Sequence, residues 1–229
     1  MDTWLKRHRK NQRSMKTVYF VRHGQTQLNK KWVHQYPETL LSDKGKQQAQ
    51  NAAEHFKDKT VDLIIYSPLL RTKQTAEAIA QYHDCHMIMS SLFVELRRPK
   101  ALWGTSWGSP VSFWIMGMLY LNAGKENWHY SDEENLEEFH ARARRALEFL
   151  ADRDEKNILV VTHRGFMAGL INRIRHDGMD SIRQYRRALW KNLAIPNCGY
   201  IQATWSEAGD NGNTLDGTWT TSGQIAKTS

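Results

Sequence analysis

The feature that most narrows the fold is alternation. Short apolar runs at Val18–Val21, Val61–Tyr66, Cys85–Met89 and Ile158–Thr162 are each followed by a polar break and, for most, by a stretch with helical spacing. Runs this short and this apolar read as strands buried on both faces. Ser42 stands where an N-cap belongs, and Ala49, Ala52, Ala53 and Phe56 share one face of a helix over 43–57. A second helix is expected over 70–82. Leu136, Phe139, Ala143, Leu147 and Leu150 recur at helical spacing, which gives an amphipathic helix over 134–152. A further helix covers 165–175, and Gly199–Trp205 reads as a final strand. The expectation is an α/β fold: a single three-layer domain with a mostly parallel central sheet and helices on both faces.

The flanks differ from this core. Residues 1–16 hold Lys6, Arg7, Arg9, Lys10, Arg13 and Lys16 and read as a basic N-terminal arm. The arm has no apolar core of the kind a signal peptide carries. Residues 17–205 are the expected domain. Residues 206–229, rich in Gly, Ser, Thr and Asn, read as a polar C-terminal tail, hairpin or loop. The longest apolar run, Phe113–Leu121, is far shorter than the roughly 20 residues that span a bilayer. Two cysteines, Cys85 and Cys198, build neither a disulfide framework nor a metal cage. The chain is therefore read as cytoplasmic, with no membrane partner.

Net charge of +8 favours acidic partners. In a parallel sheet, ligands bind beyond the carboxyl ends of the strands. Arg22-His23-Gly24, Ser67-Pro68-Leu69-Leu70-Arg71, Glu95 and His163-Arg164-Gly165 all fall at such ends. Arginine forks match phosphate oxygens, so Arg22 and Arg71 can bracket a phosphoryl group. Their charge disfavours a protonated His23 and keeps its imidazole nucleophilic. Glu95 is placed to protonate a leaving oxygen. No Asp/His cluster has metal-like spacing, so neither a metal nor another cofactor is expected.

These residues also carry a resemblance. Val21-Arg22-His23-Gly24-Gln25-Thr26-Gln27-Leu28-Asn29, Ser67 through Ala76, and Val160-Val161-Thr162-His163-Arg164-Gly165 resemble, in order, three motifs of the histidine phosphatase superfamily, the phosphoglycerate mutase-like family. The resemblance covers about residues 17–205. It implies that His23 is a nucleophile that becomes phosphorylated, and that Arg22, Arg71 and His163 form the phosphate pocket. It also implies that Asn29, and more weakly Thr26, lie near the phosphate. Asn29 has an ordinary alternative as part of a helix cap.

The expected function is metal-independent hydrolysis of a phosphomonoester, on a small phosphorylated substrate or a phosphoprotein. Two alternatives stay open. One is a mutase, against which Leu96-Arg97-Arg98-Pro99 after Glu95 departs from the mutase pattern. The other is a catalytically idle module that binds phosphate or nucleic acid; retention of both nucleophile and acid argues against it. Residues 97–133 form an aromatic insertion in which only Lys100, Lys125 and Glu126 are charged between Pro99 and Ser131. It is expected to cover one side of the pocket mouth, with Trp103 and Trp107 as its wall, or else to pack as core or meet another subunit. Arg97 and Arg98 are candidates for contact with the substrate beyond its phosphate. His34, His140 and His176 are read as structural.

Overall fold

The computed structural model describes residues 15–175, 195–206, 217–222 and 228. Strand β1 (Met15–Arg22) is followed by a one-turn helix α1 (Gln27–Lys30) and helix α2 (Asp43–Phe56). Then come β2 (Leu63–Tyr66), α3 (Leu70–Ala80), β3 (His86–Met89), α4 (Pro110–Asn122), α5 (Leu136–Ala151), β4 (Asn157–Thr162), α6 (Arg164–Arg175), β5 (Tyr200–Ser206) and β6 (Thr218–Thr221). The six strands form one sheet in the order β3-β2-β4-β1-β5-β6. Strands β3, β2, β4 and β1 run parallel, and β5 and β6 are added antiparallel at one side. The expected mostly parallel, three-layer α/β domain is the fold observed.

Alternating side chains on the central strands feed two cores. Val18, Phe20, Leu63, Ile65, Ile158 and Val160 face α5 and α6, whose Phe139, Ala143, Phe166 and Met167 complete one layer. Val21, Ile64, Leu159 and Val161 face α2 and α3, where Ala49, Ala52, Ala53, Phe56 and Ile79 pack. The small residues of α2 let the helix lie close to the sheet, as helix–sheet packing requires. Ser42 caps α2 as expected, its hydroxyl accepting the Gly45 N–H at 3.1 Å.

Two boundaries move. Strand β1 reaches back to Met15, into the segment read as arm, because Lys16 is buried and its ammonium sits 5.5 Å from the Trp205 ring. Within the tail, Thr218–Thr221 pairs with Ala203–Ser206, so part of it extends the sheet. The remainder of both flanks, and His176 with the basic cluster beyond it, lie outside the described residues.

The insertion contains a helix that periodicity did not reveal. Helix α4 opens on Ser109, whose hydroxyl accepts the Ser112 N–H, with Pro110 in its first turn. Thirteen residues without a charge give no polar face against which a 3.6-residue period stands out. No helix among the described residues is long and apolar enough to cross a membrane.

Candidate active site

The parallel register sets the site. Arg22 pairs with Thr162 across β1 and β4, while Tyr66 of β2 pairs with Val161 on the other side of β4. The three strands therefore end together. His23, Ser67 and His163, the next residues in each chain segment, emerge at one edge. Backbone bonds continue the ladder there: His23 N–H donates to Thr162 O at 3.0 Å and Ser67 N–H to Val161 O at 3.2 Å.

His23 is 3% exposed and its Nδ1 lies 2.7 Å from the Gly24 carbonyl. A carbonyl only accepts, so Nδ1 carries the proton and Nε2 keeps a lone pair. The loop that holds this arrangement is tight. A Cβ on Gly24 would stand 2.5 Å from Gly45 O in α2, which only glycine avoids. On the far side Asn197 Nδ2 donates to the His23 carbonyl at 3.1 Å, and Cys198 N–H donates to Arg22 O at 3.0 Å.

Two arginines surround the ring. Arg22 is 8% exposed and its Nη1 donates to Ile195 O at 2.6 Å. Arg71, in the first turn of α3, is 4% exposed and its Nη1 donates to Tyr36 O at 3.1 Å. Burial lowers the pKa of each to about 10; Arg164 adds to the effect at Arg22, and Glu95 opposes it at both. Both stay cationic at neutral pH. His163 is fully buried, its ring centroid 5.2 Å from that of His23, and its Nε2 lies 2.8 Å from Ser67 Oγ. Burial, then Arg71 and neighbouring charges, push both imidazoles well below their ordinary pKa. Among the described residues Nε of Arg22, Nε of Arg71 and Nδ1 of His163 are buried without a hydrogen-bond partner. Buried donors without partners are costly. Two cations and two neutral imidazoles thus lie together at one sheet edge, a set of groups that suits a compact anion.

Glu95 reaches this cluster from another direction. Its Oε2 accepts the Gly165 N–H at 3.1 Å, and its Oε1 accepts those of Phe166 and Leu96, each at 2.9 Å. The carboxylate thus closes the N-terminus of α6, directly after His163. A Cβ at 165 would sit 2.5 Å from Oε1, which accounts for the glycine in His163-Arg164-Gly165.

Behind Glu95 lies a brace that the sequence reading missed. Arg142 on α5 donates to both carboxylate oxygens of buried Glu134, at 2.7 and 2.6 Å, and to the carbonyls of Leu92 and Val94 at 2.8 and 2.9 Å. It fixes the chain on which Glu95 is carried. The signal was present: Arg142 falls on the same helix face as Phe139 and Ala143, where a charge needs a reason.

Thr26 and Asn29 form a reciprocal cap on α1. The Thr26 hydroxyl accepts the Asn29 N–H at 3.0 Å and Asn29 Oδ1 accepts the Thr26 N–H at 2.9 Å. The single hydroxyl proton of Thr26 goes to Gln35 Oε1 at 2.7 Å, so it is not offered to a phosphate. Trp103 and Trp107 are also placed differently from a free pocket wall. Trp107 stacks on His34 at 4.0 Å, with the Arg98 guanidinium 4.4 Å from its ring, and His34 Nε2 lies 2.9 Å from Ser112 Oγ on α4. Trp103 meets the edge of Tyr36 at 6.1 Å. The insertion therefore clamps the 32–37 loop, whose Tyr36 carbonyl holds Arg71. Arg97 lies 3.8 Å from Glu134 rather than alone in solvent.

Residues 18–210 match the model of the histidine phosphatase superfamily, branch 1. The chain belongs to that superfamily. Among curated relatives of this histidine phosphatase is the probable phosphoglycerate mutase GpmB of Escherichia coli, 29% identical over 214 residues, which cover 85% of this chain and 90% of the relative. Solved structures with the same fold include a mycobacterial glucosyl-3-phosphoglycerate phosphatase, with TM-score 0.69, 20% identity, and coverage of 91% of this chain and 97% of that one. A phosphoserine phosphatase mutant from Entamoeba histolytica, in complex with phosphoserine, aligns with TM-score 0.67 and 19% identity, covering 93% and 98% of the two chains.

Proposed function

We propose that this histidine phosphatase hydrolyses phosphomonoesters through a phosphohistidine on Nε2 of His23. The observation that carries the proposal is the hydrogen bond from His23 Nδ1 to the Gly24 carbonyl, which leaves Nε2 nucleophilic between two buried arginines. Arg22 and Arg71 bind the non-bridging oxygens and stabilise the charge that develops on them. In the tautomer this reading uses, the Ser67 hydroxyl donates to His163 Nε2, 2.8 Å away. His163 is then protonated at Nδ1, its buried and unpartnered nitrogen, which serves as a third donor to the phosphoryl group. Asn29 adds a donor from α1 through Nδ2.

The Nε2 lone pair attacks phosphorus as the ester P–O bond breaks. The departing oxygen takes its proton from Glu95. On this carboxyl Oε1 already accepts two N–H groups and Oε2 one, so Oε2 is the oxygen with room for the proton. Water then attacks phosphorus, returns a proton to Glu95, and releases inorganic phosphate and free His23. The two guanidinium groups supply the charge that a metal would otherwise supply, so no metal is required.

A mutase is the second reading, favoured by the name of the GpmB relatives. Such an enzyme returns the phosphoryl group to a second hydroxyl of a phosphoglycerate. Turnover assays on sugar phosphates, nucleotides, phosphoglycerates and phosphopeptides, all with a chelator present, test both readings. Chelator-resistant phosphate release from one of these classes supports the hydrolase. Interconversion of phosphoglycerates without release points to the mutase.

A further inference from the structure

Helix α4 presents opposite faces to opposite environments. Ser112 and Ile115 are buried and Met116 contacts Arg98, which fixes the inward side. At 100° per residue, Phe113, Trp114, Gly117 and Leu121 fall on the outward side. Phe113, Trp114 and Leu121 are 70%, 66% and 75% exposed, and a Cβ added at Gly117 would meet no atom within 4 Å. These three side chains together leave on the order of 450 Å² of apolar surface open, within the range of the largest patch on an ordinary monomer.

We propose that this face is a self-association surface, on which two copies of the chain pack α4 against α4, antiparallel and crossing at Gly117. The stripe is symmetric about that glycine. Phe113 lies four residues before it and Leu121 four after; Pro110 and Gly124 lie seven before and seven after. A two-fold axis at Gly117 therefore sets Phe113 of each copy against Leu121 of the other. This is the self-complementarity an isologous dimer needs, and a lipid surface or an unrelated partner gives no reason for it. Gly117, without a side chain, lets the two backbones approach where the large residues on either side would otherwise hold them apart. Two copies of the stripe bury about 900 Å² together, the size of a weak, concentration-dependent association. The absence of any charge in α4 matters in a chain of net charge +8, because the contact brings no like charges together. At thirteen residues the helix is about 20 Å long, too short to cross a bilayer.

Sedimentation velocity on the full chain, from about 1 to 100 µM, is the test. The expected result is a concentration-dependent species of twice the 26.7 kDa chain mass. Phe113→Lys and Leu121→Glu, both at exposed positions, leave circular dichroism and melting unchanged and each weaken association more than about 30-fold. Mixed together, the two variants re-associate, because the charge introduced at 113 meets the opposite charge introduced at 121. Three outcomes overturn the proposal. The wild-type chain stays monomeric throughout the range, the dimer survives both substitutions, or the mixed variants fail to pair. Flotation with phosphatidylcholine–phosphatidylserine vesicles accompanies the test. A monomer that floats with vesicles, and loses this on Phe113→Lys, assigns the face to a membrane and also overturns it.

Discussion

Glu95 does two things at once. It terminates α6 by accepting the N–H groups of Gly165 and Phe166, and in the proposed reaction it delivers the proton. Leaving-group dependence separates the two roles. Glu95→Gln keeps the shape and one oxygen acceptor but has no acidic proton, so an alkyl phosphate should lose roughly 10²–10⁴-fold in kcat. A nitrophenyl phosphate, whose leaving group departs unaided, should lose far less. Equal losses would make Glu95 a cap only. Arg142 is the residue that places it. Arg142→Met removes both hydrogen bonds to the buried Glu134 carboxylate, leaving it the exposed Arg97 guanidinium at 3.8 Å, and should cost about 3 kcal/mol of stability in denaturant melts. Much of this should return in Arg142→Met/Glu134→Leu, where no charge is left unpaired. At this scale the grouping of Arg22, His23, Arg71 and His163 was legible in the sequence because each ends or directly follows a readable strand or lies in the first turn of a readable helix, whereas Glu95, six residues past β3, follows no element that the sequence marks. The Arg142 brace was not, because Leu92 and Val94 are about 50 residues away and offer backbone oxygens that no motif records, while Glu134 gives no sign in the sequence that its carboxylate is buried.

Elements with two-sided burial or one-sided amphipathicity were readable; elements without contrast were not. The strands at Leu63–Tyr66 and Asn157–Thr162, and the helix at Leu136–Ala151, fall within a residue or two of their expected places because burial writes a pattern into them. Helix α4, apolar on every side, carried no such pattern. Its consequence is local. By clamping the 32–37 loop through Trp107, His34 and Ser112, the insertion holds the carbonyl that orients Arg71. Trp107→Ala should therefore weaken inhibition by inorganic phosphate several-fold, roughly the effect of losing one bracing contact, and raise KM for all substrates together. If phosphate inhibition is unchanged while substrates are affected unequally, the residue is a selectivity wall and the clamp is wrong.

Across the whole molecule, the site places a burden on stability. His23 and His163 have folded pKa values well below 6.5, and His34 is lowered to about 4 by burial and by Arg98. A histidine whose folded pKa is depressed stays neutral in the native state while the unfolded chain takes up its proton. That contribution is fully present above pH 6.5 and is lost as pH falls below it. Denaturant unfolding should show stability falling as pH is lowered from 7 to 5, and a flat profile there would contradict the neutral, buried pair. The same neutrality means that kcat/KM should not fall through protonation of His23 near pH 6.5. Because Arg22 and Arg71 supply the cationic charge, a chelator should leave turnover intact; a large loss restored by a divalent metal would contradict that division of labour. The measurement closest to the central claim is rapid quenching of turnover with a ³²P-labelled phosphomonoester, followed by mapping of the labelled residue. The account predicts an acid-labile, base-stable phosphoramidate on His23, absent together with turnover in His23→Ala. Label on a serine or aspartate, or turnover that survives the substitution, would contradict it.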